Sequence, residues 1–218
     1  MIDNTAIIQQ TAIFVQENLK SAEAGHDWWH IQRVWNNTKL ILETEVADTL
    51  VCELTALLHD IADSKFHHGD EHIGPRIAGE FLQHIGLDKG RIEHVQQIIF
   101  NMSFKASLGR VDFHSRELEI VQDADRLDAI GAIGIARAFH YGGFKNREIY
   151  NPDISSQQLL SKEVYKNTTA PTINHFYEKL LLLRDKMNTA TAKQIAGERH
   201  HFMESFLQQF YGEWNGDR

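Results

Sequence analysis

Leu50-Val51-Cys52-Glu53-Leu54-Thr55-Ala56-Leu57-Leu58-His59-Asp60 is the stretch on which the reading of this chain turns. Leu50, Leu54, Leu57 and Leu58, with Ile61 just beyond, recur at the spacing of one helix face. The run therefore predicts a core helix, with Asp48 as its candidate N-cap. It finishes on an imidazole and a carboxylate, side chains that an ordinary core helix would avoid. Either group costs free energy when buried without a partner. A divalent cation would satisfy both at once.

Helical spacing continues in both directions. Ile7, Ile8, Ala12, Phe14, Val15 and Leu19 form one face of an amphipathic helix near the N-terminus. Ile31, Val34, Trp35, Thr38 and Leu42 form another, with Asp27 as its N-cap and His30 in its first turn. A fourth helix carries Ile73, Ile77, Phe81, Leu82 and Ile85; Pro75 belongs in its first turn, and it stops near Gly86. Ile92, Val95, Ile98, Ile99 and Met102 mark the fifth. The stretch from Glu117 to Phe139 is apolar on nearly all sides, which predicts one central, fully packed helix. From Gly142 to Pro171 the pattern breaks, with one weak helical stretch from Leu159 to Val164. Two helices close the chain, one through Phe176, Leu180 and Leu183, the other through Phe202, Phe206, Phe210 and Trp214. With three prolines and few β-type alternations, the expected fold is all-α, a single domain over 1–218.

Composition narrows the function. A net charge of −8 disfavours broad contact with nucleic-acid backbones. It leaves room for a small anionic ligand in a locally cationic cleft. The single cysteine, Cys52, reads as small core filler. The N-terminal stretch lacks the basic and long apolar regions of a signal peptide, and no span long enough for a membrane is visible. A cytoplasmic protein without a membrane partner is expected. Of the 13 histidines, the pairs His67-His68 and His200-His201 read as exposed surface. The aromatic-rich closing helix offers a surface for a homodimer.

The constellation around His59-Asp60 is chemically coherent. His30 lies beside Ile31 and one turn before Val34, on or near an inward face. Asp125 falls at heptad-like spacing from Leu118, on a stripe expected to be buried. A buried aspartate needs a cation or a proton. Two imidazoles and two carboxylates suit Mn, Fe, Co, Ni or Zn and tolerate Mg. With no thiolate available, a cysteine-rich structural zinc site is excluded.

Three segments carry a family resemblance: His26-Asp27-Trp28-Trp29-His30-Ile31-Gln32-Arg33-Val34, Leu58-His59-Asp60-Ile61-Ala62-Asp63, and Asp123-Ala124-Asp125-Arg126-Leu127-Asp128-Ala129-Ile130-Gly131-Ala132. Together with the closing Asn174-His175-Phe176-Tyr177-Glu178-Lys179-Leu180, the chain resembles the HD superfamily of metal-dependent phosphohydrolases. It is most similar to the bacterial single-domain branch that includes a deoxynucleoside triphosphate pyrophosphohydrolase. The resemblance implies an HD-domain helical bundle and metal ligands at His30, His59, Asp60 and Asp125. It selects His30 over His26 and Asp125 over Asp123. It also implies a catalytic role for Asp63, three residues after the ligand aspartate, as base or orienter for the attacking water.

Near these segments, Lys65 is expected to neutralise charge on the reacting phosphoryl group, and Arg33, Lys105 and Arg126 are candidate phosphate contacts. Arg126 is equally placed to pair with Asp123 or Asp128. One metal is expected, manganese first, with His94 the candidate for a second site. The implied reaction cleaves a (deoxy)nucleoside triphosphate to monophosphate and pyrophosphate. A nucleoside monophosphate or cyclic nucleotide remains an alternative substrate. The rival readings are a metal-loaded nucleotide sensor without turnover and, less well supplied with ligands, two-iron oxygenase chemistry.

Overall fold

Aspartates start four of the described helices. In the computed structural model, which describes residues 3–20, 27–62, 70–102, 113–156 and 169–217, α1 (Asn4–Asn18), α2 (Trp28–Leu42), α3 (Thr49–Leu58) and α5 (Lys89–Asn101) each open on one. Asp27 accepts from the backbone N–H of His30 at 3.0 Å. Asp48 accepts from Val51 at 3.2 Å, and Asp88 from Arg91 at 3.0 Å. Each such cap stabilises its helix by about 1 kcal/mol. Between α3 and α5, α4 (Ile73–His84) carries Pro75 in its first turn and ends at Gly86, whose φ of 80° suits a residue without Cβ. The described residues include no β-strand.

The chain divides into two compact units, 1–125 and 126–218. In the first, α3 is the central element and packs on α1, α2 and α5, while α4 packs on α5. Seven of its residues, Val51, Cys52, Leu54, Thr55, Ala56, Leu57 and Leu58, are essentially inaccessible to solvent. Burial, then the nearby carboxylates of Glu117, Asp48 and Glu53, push the Cys52 thiol up, so it persists as an inert core group. On α2 the buried stripe is His30, Ile31, Val34, Asn37, Thr38 and Ile41. The expected Trp35 and Leu42 sit at its margin. Trp35 has a polar reason to stay there: its indole N–H donates to Glu53 at 2.7 Å.

The single helix expected from Glu117 to Phe139 is two: α6 (Arg116–Asp128) and α7 (Gly131–Phe144). Gly131, at φ 73°, turns the chain between them. Gly134 lies so close to the Ala129 carbonyl that a Cβ would stand 2.2 Å from its oxygen. Both glycines were inside an apolar run, where hydrophobicity hid the break.

The second unit continues with α8 (Asn174–Glu178), a 3-10 turn (Leu180–Lys186) and α9 (Ala190–Asn215). The expected helix through Phe176, Leu180 and Leu183 is therefore a short α-turn followed by a 3-10 turn. The closing helix buries Ala192, Ala196, His200, Met203 and Leu207 rather than its aromatic stripe. α9 packs on α7 and on the 3-10 turn; Phe206 is half-buried and stacks on Phe176, centroids 5.8 Å apart. His200 consequently departs from expectation. It is buried on that stripe, while His201, 100° around the helix, is exposed. The weak stretch Leu159 to Val164, together with His67 and His68, lies outside the described residues. No described helix is long and apolar enough to cross a membrane.

Candidate metal centre

The cap on α2 also places the first donor. Asp27 fixes the start of the helix at His30, and the helical repeat then sets the His30 imidazole on the buried stripe, 1% exposed. His59 follows the last turn of α3. Its Nδ1 lies 2.9 Å from the Ala56 carbonyl, to which it donates. That bond fixes the tautomer and leaves the Nε2 lone pair pointing away from the helix.

The two Nε2 atoms of His30 and His59 face each other at 3.3 Å. Asp60 Oδ2 stands 3.6 Å from His30 Nε2 and 3.9 Å from His59 Nε2. His30, His59 and Asp60 each offer one donor atom to a group whose members all lie within 4.8 Å of one another. Asp125, on α6, joins from the side, its Oδ1 3.6 Å from His30 Nε2.

Three of the four separations, 3.3, 3.6 and 3.6 Å, fit a first-row cation, and the His59–Asp60 pair is slightly wider at 3.9 Å. Donors about 2.0–2.2 Å from one ion in tetrahedral or octahedral arrangement lie roughly 3–3.6 Å apart. Two imidazole nitrogens and two carboxylate oxygens drawn together at such distances form a set that a divalent cation would satisfy at once. The group is closed at the two histidines and open at the acids: the Asp60 and Asp125 side chains are 26% and 36% exposed. Solvent and a substrate oxygen can approach from that side.

Asp123, the alternative to Asp125, is completely buried, whereas Asp125 faces His30. The expectation that Asp125 lies on a buried stripe thus reverses: the buried aspartates of α6 are Asp123 and Asp128. Asp128 pairs with Arg137 at 2.6 Å. Arg126 points elsewhere, donating to the backbone carbonyl of Lys186. Arg33 is half-buried on α2. Asp63, Lys65, Lys105 and His26 lie outside the described residues. His94 is engaged away from the centre, 3.0 Å from Ser115 Oγ and 3.5 Å from Glu117. In the closing segment, burial and then the cations Lys179 and Arg147 push His175 down to about 3, which keeps it neutral.

One contributor escaped the sequence reading. Asn37, on the buried stripe of α2, donates its side-chain amide to the Ala124 carbonyl at 3.1 Å. Ala124 immediately precedes Asp125, so this bond ties the helix of His30 to the helix of Asp125. A polar residue at i+7 from His30 was the available signal. Asn37→Ala is expected to remove this bond between the two helices, lower stability by about 1 kcal/mol, and weaken divalent-ion affinity by about tenfold or more. Urea unfolding and metal titration would measure the two effects.

Comparison with known proteins identifies the family. Residues 28–130 match the family profile of the HD domain. YpgQ of Bacillus subtilis (strain 168) is 37% identical over 203 residues, 92% of this chain and 90% of that protein. An HD-superfamily hydrolase of Bacillus thuringiensis is 41% identical, covers 98% of this chain and 99% of its own, and superposes with a TM-score of 0.77. Bacillus subtilis YpgQ in complex with ADP gives 36% identity, 96% of both chains and a TM-score of 0.77. The chain belongs to the HD superfamily of metal-dependent phosphohydrolases.

Proposed function

We propose that this phosphohydrolase cleaves a (deoxy)nucleoside triphosphate to the monophosphate and pyrophosphate, with one divalent ion, manganese first, held by His30, His59, Asp60 and Asp125. The observation that carries this reading is the convergence of His30, His59 and Asp60 within 4.8 Å, with Asp125 beside His30. ADP bound to the related YpgQ supports a nucleotide as ligand. A divalent ion in such a group supplies Lewis acidity toward a phosphoryl oxygen and lowers the pKa of water.

The chain supplies the rest. Asp63, three residues after Asp60, orients the attacking water and accepts its proton. Lys65 offsets the negative charge that grows on the phosphoryl oxygens. Arg33 and Lys105 hold the remaining phosphates. Arg126 is the least available of the candidates, because its guanidinium already serves the Lys186 carbonyl. The whole chain, 1–218, acts as one functional domain in this reading; the family match, 28–130, runs across the boundary between the two units.

The test is a panel of nucleotides incubated with purified protein and Mn, Co, Mg or Zn, with products separated by chromatography. Monophosphate plus pyrophosphate is expected. Tripolyphosphate or orthophosphate as product would overturn the assigned bond, and tight nucleotide binding without products would favour a sensor. Asp63→Ala should retain the metal while kcat falls about 100-fold or more, the usual scale for losing a general base. Loss of metal as complete as in Asp60→Ala would remove the catalytic role from Asp63.

A further inference from the structure

Trp29 stands one residue before His30 in the first turn of α2, and it is 64% exposed. An indole carries one of the largest apolar surfaces available to a protein, and folding ordinarily buries or stacks it. Two other tryptophans of the chain follow that rule. Trp35 donates to Glu53 at 2.7 Å and lies beneath Lys39, whose Nζ is 4.0 Å from the ring centroid. Trp214, although half-exposed, packs against Tyr150 and Phe210, with centroids 5.0 and 6.1 Å away. The Trp29 indole has neither a hydrogen bond nor a ring contact among the described residues. Among the described residues, packing does not account for it.

Its position suggests what does. Adjacent helix residues project about 100° apart and rise about 1.5 Å. The Trp29 ring therefore leaves α2 beside the His30 imidazole without competing for the same space. Arg33, four residues on, shares the Trp29 side of the helix. A flat apolar ring and a guanidinium thus lie on one face, next to a group of metal donors that opens toward solvent at Asp60 and Asp125. That juxtaposition matches a ligand with a planar aromatic end and an anionic end.

We propose that Trp29 is the stacking platform for the nucleobase of a nucleotide whose phosphates reach the His30 centre. The inference rests on the nucleotide reading given above and adds the residue that separates nucleotides from bare polyphosphates. Stacking on an indole accepts any base, because every base has a π-face. Weak discrimination among bases follows.

Calorimetric titration of the full chain with Mn²⁺ present, using ADP and inorganic pyrophosphate in parallel, tests it. Trp29→Ala is expected to lose about tenfold or more in ADP affinity, with pyrophosphate affinity and melting temperature unchanged. Trp29→Phe should restore most of the loss. Equal ADP affinity in wild type and Trp29→Ala would overturn the stacking role while leaving the nucleotide reading intact. Parallel loss of ADP and pyrophosphate, or no recovery in Trp29→Phe, would likewise overturn it. A wild-type chain that binds pyrophosphate but not ADP, or neither, would remove the nucleotide reading itself and the platform with it.

Discussion

His59→Ala is expected to release the divalent ion and reduce phosphohydrolase activity to that of the metal-free chain, with the helical circular-dichroism spectrum nearly unchanged. The side chain sits just after the last turn of α3, so its removal leaves the helix cap at Asp48 and the apolar face of α3 intact. What disappears is one of two opposed Nε2 donors, together with the Ala56 contact that holds it in register. Loss of an outer-shell partner typically costs about 10–100-fold in metal affinity, and loss of a ligand should exceed that. Metal titration and turnover, measured on the same preparation, check the result. A variant that binds Mn²⁺ like the wild type and still hydrolyses substrate would show that His59 is not a ligand.

Asp128→Ala should have the largest effect on stability, a loss of about 3–5 kcal/mol, without a direct effect on the metal centre. The Asp128 side chain is 2% exposed and receives Arg137 at 2.6 Å; the same guanidinium also donates to the Asp128 carbonyl at 3.2 Å. Arg199 is close enough to feel the carboxylate. Burial lowers its pKa, and Asp128 works against that lowering. Removing the acid takes the opposing carboxylate away from two partly buried guanidinium groups, the costly way to break an internal ion pair. Asp128→Asn keeps the shape and one hydrogen bond and should lose less. Denaturant unfolding beside a Mn²⁺ titration separates the two roles. A loss below about 1 kcal/mol would mean that the arginines are satisfied elsewhere.

The contrast between Asp125 and Asp128 shows what sequence could and could not say. Caps and periodicity made α2, α3 and α5 legible, because Asp27, Asp48 and Asp88 do locally what aspartates do at any helix start. His59 and Asp60 were legible as misfits at the end of an apolar run. The ranking of acids along α6 was not. Heptad spacing gave Asp125 a buried stripe, yet Asp123 and Asp128 are the buried ones, since burial depends on neighbours distant in the chain. The break at Gly131 was hidden for a related reason: its positive φ is a backbone property, while the apolar pattern on both sides suggested continuity. Asn37 was passed over because its partner is a backbone carbonyl 87 residues away, and a carbonyl leaves no trace in a sequence. The small-residue stripe of α9, Ala192 and Ala196 leading to His200, carried less hydrophobic signal than the aromatics beside it.

A crystal grown with Mn²⁺ and examined by anomalous scattering at the manganese edge tests the account most directly. It predicts one strong peak bonded to His30 Nε2, His59 Nε2 and the carboxylates of Asp60 and Asp125, with open coordination positions facing solvent. A manganese peak bound by other side chains, or full occupancy elsewhere while these four groups stay apart, would contradict it.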